Sequence, residues 1–370
     1  ALGMSTAKAD EWRVIESLLP VGWEEAARSS GAFQRVRYTQ TPAEILRLLL
    51  LHASGDTGLR DTMVLARAAG ISTISSVALF KRMKSAGDWL SWLCRSLTCE
   101  LRQETALQGK LRLRVVDGTT LQRPAAKGAT WRLHFSIDLM SLNCDWFELT
   151  SAKKGEALWR VPMQPDDVLI ADRYYMTKSA VEAAAAARAF VLIRMRWTHL
   201  PLQDETGARV TALDLCRNVR VGEVKEWKVV APLSDGTTCP GRIVATRLPA
   251  PVAARAARKL KREAKRKNRK LDRRTLRAAR YVLVFTTLPR GKASAAQVLE
   301  IYRARWQIEL VFKRMKQLLK LGQLPHKNRT VARSWILAKL LLSLLLEKIY
   351  RQSRSFSPWG YDIQELAKAA

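Results

Sequence analysis

Apolar residues in the first hundred positions recur at three- and four-residue intervals, as in Pro42 to Leu51 and Gly87 to Leu97, which predicts helices rather than strands. Leu59 to Ala69, then Gly70-Ile71-Ser72, then Ile74 to Met83 has the layout of a helix, a short turn and a second helix. From Leu111 the texture changes to short apolar runs bounded by turn residues: Leu111 to Val116, Trp131 to Leu139, Asp145 to Thr150 and Val168 to Ala171. An alanine-rich helix, Thr177 to Ala187, and a further strand, Phe190 to Met195, follow. Residues 197 to 290 look inserted, with short strands at Trp227 to Ala231 and Arg242 to Arg247 among Gly and Pro, then a basic run. Tyr281 to Thr287 reads as a strand, and Ser294-Ala-Ala-Gln297 fits a capping box that opens one long helix to about Leu321. Thr330 to Tyr350 is a last, mostly apolar helix.

Composition narrows what these elements serve. With 370 residues and 48% hydrophobic content, the chain can fill two or three domain cores. Its formal charge of +31 calls for a polyanionic partner, nucleic acid before membrane. The longest apolar stretch, Trp335 to Leu346, is broken by Lys339 and falls short of the roughly 20 residues that span a bilayer. With no signal-peptide pattern either, the expected location is the cytoplasm. The basic run, Arg255 to Arg280, holds 14 Lys or Arg against only Glu263 and Asp272, with Ala and Leu that permit a helix. It reads as a helix ordered by phosphates or as a solvated loop. Five scattered cysteines and four histidines supply neither a disulfide framework nor a zinc site. Any metal must sit on oxygen ligands, which suits magnesium or manganese.

Three acids stand out. Asp117 terminates the apolar run Leu113-Arg114-Val115-Val116, and Asp172 terminates Val168-Leu169-Ile170-Ala171. A carboxylate at the end of a buried strand is held rigidly at a sheet edge, although either Asp taken singly also suits a turn or a helix cap. On the predicted long helix, Tyr302, Arg305, Glu309 and Lys316 fall within an arc of about 60° on one face. Phe312 and Ile301 flank that arc and point it toward the interior or a cleft.

These residues resemble the DDE transposases of bacterial insertion sequences, in particular the insertion-sequence-four family with its signature Y-x2-R-x3-E-x6-K. Tyr302, Arg305, Glu309 and Lys316 match it without a gap. Val116-Asp117-Gly118-Thr119, Trp131-Arg132-Leu133-His134 and Asp172-Arg173-Tyr174-Tyr175 also resemble the family, and the likeness covers residues 58 to 350. The resemblance implies an α/β fold: a ribonuclease-H-like mixed-sheet catalytic core interrupted by a mainly β insertion domain, with a helical N-terminal DNA-binding domain. The expected bounds are 1–105 for the N-terminal domain, 106–196 and 291–370 for the two parts of the core, and 197–290 for the insertion with its basic segment.

It further implies that Asp117 bridges two magnesium ions, or manganese in their place, with Asp172 and Glu309 as outer ligands. Arg305, Lys316 and Tyr302 are expected to bind phosphates at the scissile bond. Arg173 and Lys313 beside them, Lys81 and Arg82 in the N-terminal region, and Lys265 and Arg266 in the basic run are the further DNA-contact candidates. The expected partners are double-stranded DNA, both transposon ends and target, and a second copy of the chain in a synaptic homodimer. With 20 residues after Tyr350, the C-terminal dimerisation domain of longer members is not expected in this chain. The implied chemistry is nicking, hairpin formation, hairpin opening and strand transfer, with Tyr281, Trp227 or Trp197 as candidates to hold a flipped base. The alternatives are a relative of the same fold that binds or cuts DNA without strand transfer, and a non-enzymatic RNA-binding protein.

Overall fold

The computed structural model of the chain describes residues 12–34, 41–55, 57–105, 111–196, 200–317, 319–322 and 324–354. Trp197 and most of the tail after Tyr350, residues 355–370, lie outside these. Helices come first: α1 over residues 12–17, α2 (Trp23–Ser29), α3 (Pro42–Ser54), α4 (Leu59–Ala68), α5 (Ser76–Ser85) and α6 (Gly87–Thr105). The start of α3 follows from local chemistry: Thr41 accepts the Glu44 N–H at 3.2 Å, and Pro42 occupies the first turn, where its missing N–H costs nothing. The turn between α4 and α5 is longer than the sequence suggested. Ile74 lies in the turn rather than the helix, because Ser75 caps α5 by accepting the Ala78 N–H at 3.1 Å.

The strands are β1 (Arg112–Leu121), β2 (Trp131–Asp138), β3 (Cys144–Ser151), β4 (Asp167–Ala171) and, after helix α7 (Lys178–Ala186), β5 (Phe190–Arg194). Next come β6 (Leu202–Gln203), β7 (Arg209–Val210), the short α8 (Ala212–Leu215), β8 (Val224–Pro232) and β9 (Thr238–Arg247). The basic run forms α9 (Ala250–Arg266) and α10 (Arg273–Ala278), and β10 (Tyr281–Thr286) precedes α11 (Ala295–Arg303), α12 (Trp306–Gln317) and α13 (Arg329–Arg354).

The fold is mixed α/β around one large sheet, in the order β3-β2-β1-β4-β5-β10-β9-β8-β6-β7. β1 to β3 form an antiparallel meander, while β4 and β5 run parallel to β1. Residues 202–247 therefore lengthen the same sheet through β9 and β10 rather than forming a second one. Alternation along the strands divides the apolar residues between two faces. Val115, Phe135 and Ile170 share a core with Leu49, Leu93 and Leu341, so the first helices, α13 and one sheet face are packed together. Val116, Leu169 and Ala171 face the other way, onto Tyr175 and Val181.

Near the starts of β1, β3 and β4, a buried ion network ties the three strands. Arg114 Nη1 donates to Asp167 at 3.0 Å and to the Pro162 carbonyl at 2.7 Å, Arg114 Nε donates to Asp145, and Arg112 Nε donates to Asp167 at 2.7 Å. Charges this deep repay their desolvation only when all partners are in place, so the network fixes the relative position of β1, β3 and β4.

Two expectations are corrected. β1 does not end at Asp117 but continues to Leu121, because its antiparallel partner β2 keeps pairing through Leu121↔Trp131. The single helix expected from Ser294 to about Leu321 is two. The capping box at Ser294 and Gln297 is present, but hydrogen bonds tighten to three-residue steps at Arg305→Tyr302 and Gln307→Ala304, and α11 gives way to α12. The turn falls where the Arg305 guanidinium is drawn inward between two carboxylates.

Candidate active site

Register brings the two aspartates together. In the parallel β1–β4 pair, Val116 stands beside Ala171, so the next positions, Asp117 and Asp172, are neighbours on adjacent strands about 4.8 Å apart. By alternation both side chains leave the sheet on the face of Val115 and Ile170, over which α12 packs Ile308, Phe312 and Met315. Phe312 seats α12 against Phe135, with ring centroids 5.8 Å apart.

Each carboxylate has its own restraints. Asp117 Oδ1 accepts the Gly118 N–H at 2.8 Å, and Asp172 Oδ1 accepts the Tyr174 N–H at 2.7 Å. Arg305 lies between acids: Nη1 is 3.5 Å from Asp117 Oδ2, and Nη2 donates to Glu309. Burial pushes the Asp117 carboxyl up to about 6. The negative charges of Asp172 and Glu156 add to that rise, while the Gly118 N–H and Arg305 oppose it. Tyr302 is buried at the end of α11, and burial likewise raises its hydroxyl above the usual phenol range.

The structure thus gathers Asp117, Asp172, Tyr302, Arg305 and Glu309, although not on one face of one helix: Tyr302 ends α11, Arg305 lies in the turn, and Glu309 begins α12. Arg173, Lys313 and Lys316 are exposed around this edge. Lys81 is exposed and Arg82 half-buried on α5, whereas Lys265 and Arg266 are exposed on α9. Of the aromatic candidates for a flipped base, Tyr281 is buried in β10 and Trp227 is half-buried in β8.

A fourth acid was missed by sequence reasoning. Glu156, in the loop after β3, receives Arg132 Nη1 at 2.6 Å and packs against Gly118 so closely that a Cβ there would lie 3.0 Å from Glu156 Oε1. Any larger residue between Asp117 and Thr119 would require the Glu156 side chain to shift by a few tenths of an ångström. Nothing in the run Lys153-Lys154-Gly155-Glu156 marked the acid, since its role depends on a contact 38 positions away in sequence.

Among the described residues, no three His, Cys, Asp or Glu side chains close around a single point as placed. The donor chemistry nevertheless suits a hard divalent cation: Asp117 and Asp172 are adjacent carboxylates whose mutual repulsion a cation would relieve. Glu309 points to Arg305, the cation that now neutralises both it and Asp117.

A family model described as a transposase DDE domain matches residues 108–345. The transposase for insertion sequence element IS421 of Escherichia coli is 34% identical over 357 residues, covering 94% of this chain and 96% of that protein. InsL of insertion sequence element IS186A, from Escherichia coli strain K12, is 34% identical over 356 residues with the same coverage. Among solved structures, a piggyBac transposase synaptic complex with hairpin DNA aligns with a TM-score of 0.42 and 9% identity, covering 93% of this chain and 74% of that one. Among the described residues, no helix is long and apolar enough to cross a membrane.

Proposed function

Because the chain belongs to the family of transposases with a DDE domain, we propose that Asp117, Asp172 and Glu309 are its catalytic carboxylates and that they hold two magnesium ions, or manganese in their place. The protein is a DNA transposase, an enzyme of DNA cleavage and strand transfer. The observation that carries the site assignment is the β1–β4 register, which sets Asp117 beside Asp172 under the Arg305–Glu309 turn. The strand order β3-β2-β1-β4-β5, with β1 to β3 antiparallel and β4 and β5 parallel to β1, supports a ribonuclease-H-like core. Strands β6 to β9 and the basic helices would then be the insertion, and α1 to α6 the N-terminal DNA-binding domain.

When bound, the metal ions activate a water or a 3′-hydroxyl and neutralise charge on the phosphate. The chain's own residues do the rest. Asp117 and Asp172 are held at the sheet edge by the backbone N–H groups of Gly118 and Tyr174, so the ligands are oriented before substrate arrives. Arg305 balances Asp117 and Glu309 in the free protein. With cations held there, Glu309 would be available as a ligand and the Arg305 guanidinium would be available to hold a phosphate in its two-pronged fork. Lys316 and Lys313, on the exposed side of α12, and Arg173, beside Asp172, supply point charges to the flanking phosphates.

Strand direction supports placing DNA along this edge. β9 runs in the same sense as β1, β4 and β5, so its carboxyl end, which leads into α9, opens on the edge from which Asp117 and Asp172 project. Lys265 and Arg266 on α9 thus lie on an excursion from the catalytic edge, while Lys81 and Arg82 on α5 contact the transposon end elsewhere. Two copies of the chain pair the two ends, and cleavage proceeds through a hairpin before strand transfer into target DNA.

Replacing Asp117 with Asn tests the assignment. Magnesium-dependent cleavage of transposon-end DNA should be lost while binding of the same DNA stays within a few-fold, and cleavage that survives would remove Asp117 from the chemistry.

A further inference from the structure

A cavity of about 530 Å³ opens at the outer edge of the sheet, between α6 and β3. Its volume lies within the range of ligand sites. Arg95 and Arg102, seven positions apart on α6 and therefore on one face of that helix, line it with Trp146, Trp159, Asp145 and Arg160.

The charges here are unequally spent. Arg160 is committed to Glu148 at 3.1 Å, and Asp145 to Arg114. Among the described residues, neither the Arg95 nor the Arg102 guanidinium has a hydrogen bond or ion pair. Arg102 is half-buried, and burial holds its guanidinium below the usual arginine range, with Arg112 and Arg114 adding like-charge repulsion that Asp145 and Asp167 only partly offset. An anion would relieve that crowding. The second unspent group is Asp145 Oδ1, a buried oxygen lining the cavity with no hydrogen-bond partner among the described residues. It calls for an N–H or O–H donor.

The third feature is aromatic. Trp159 is 56% exposed, an unusual display for so large a ring, and it is braced from one side by the Arg160 guanidinium 4.5 Å from its centroid. A braced, exposed indole beside two unpaired guanidiniums and a buried acceptor fits a ligand with a flat π-face, an anionic group and an N–H edge. A nucleotide has all three.

We propose that this cavity binds one unstacked nucleotide of a DNA single strand, with its base against Trp159 and its phosphate against Arg95 and Arg102. The proposal rests on the reading of the protein as a DNA-cleaving enzyme and adds a site where one freed strand is held. Chain connectivity places it within reach of the chemistry: Trp159 follows Glu156, the acid packed on Gly118, by three residues, which span at most about 10 Å. A duplex keeps its bases stacked inside and cannot present one to the indole, so the site selects single strands.

The test uses the full chain and a short single-stranded oligonucleotide carrying 2-aminopurine, whose fluorescence is quenched on stacking. Wild type should quench it. Trp159→Ala should abolish the quenching and weaken single-strand binding about tenfold, whereas Trp159→Phe, which keeps a π-face, should restore most of both. Replacing Arg95 and Arg102 together with Ala should lower the slope of log affinity against log salt by about 1.4. Blunt duplex binding should stay within twofold in every variant. Unchanged single-strand binding in Trp159→Ala, or an equal loss for single strand and duplex, would overturn the proposal. Asp117→Asn should quench like wild type, so failure of the catalytic assignment and failure of this site give different results.

Discussion

Asp117 is costly to the metal-free protein. Its carboxyl titrates near 6 in the fold against 3.8 ordinarily, because burial and the neighbouring acids disfavour its charged form. Between those values the folded chain keeps a proton that the unfolded chain has lost, so stability falls as pH rises from 3.8 to about 6 and stays lower above. At about 1.4 kcal/mol for each pH unit of displacement, the cost at neutral pH is on the order of 3 kcal/mol. Asp117→Asn removes the charge, so without metal the variant should melt several degrees above wild type at neutral pH, and the gap should shrink toward pH 4 or when magnesium is added. A variant that melts lower throughout would mean that the Arg305 contact outweighs the desolvation. Gly118 belongs to the same economy of space, since a side chain there would press on Glu156, which packs against the strand that carries Asp117.

Between elements, a histidine pair links the first helices to the segment after α12. The Thr62 hydroxyl donates to the Gly58 carbonyl at 2.9 Å, so it accepts from His52 Nδ1–H at 2.9 Å. His52 Nε2 is then an acceptor for the Nε2–H of His326 at 2.8 Å. Burial, with His326 and Lys339 nearby, lowers His52 from 6.5 to about 4. In that window the unfolded chain takes up a proton that the fold refuses, so stability falls as pH drops from 6.5 to about 4. His134, lowered to about 4 mainly by burial, acts in the same direction. Thermal melts across this range should show the decline, and His52→Gln should flatten it; an unaltered slope in that variant would assign the effect to other groups. The pair also shows what the sequence could not disclose. Nothing local marks His326, because its partner is 274 positions away. Local signals fared better: the Ser294 capping box, the alanine-rich helix α7 and the apolar runs of β2, β4 and β10 were all legible, since each depends on neighbours within a few residues. The α11–α12 break was not, because it answers to Arg305 reaching Asp117 across the fold. The joining of β6 to β9 onto the core sheet was also hidden, for β6 and β7 are two residues each and leave no periodic trace.

For the whole molecule, the +31 charge is concentrated where the sheet emits α9, a helix with no buried residue. Replacing Lys265 and Arg266 with Ala should weaken duplex binding and cut the dependence of log affinity on log salt by about 1.8, measured by anisotropy titrations at several salt concentrations. A slope equal to wild type would mean that those two side chains meet no phosphate. The sheet gives this limb its setting. From β9, through β10, β5 and β4, to β1 is four ladder steps, about 19 Å of hydrogen-bonded backbone with no flexible joint. The molecule therefore carries its own ruler: any duplex that the basic limb grasped would stand at a fixed offset from Asp117 and Asp172.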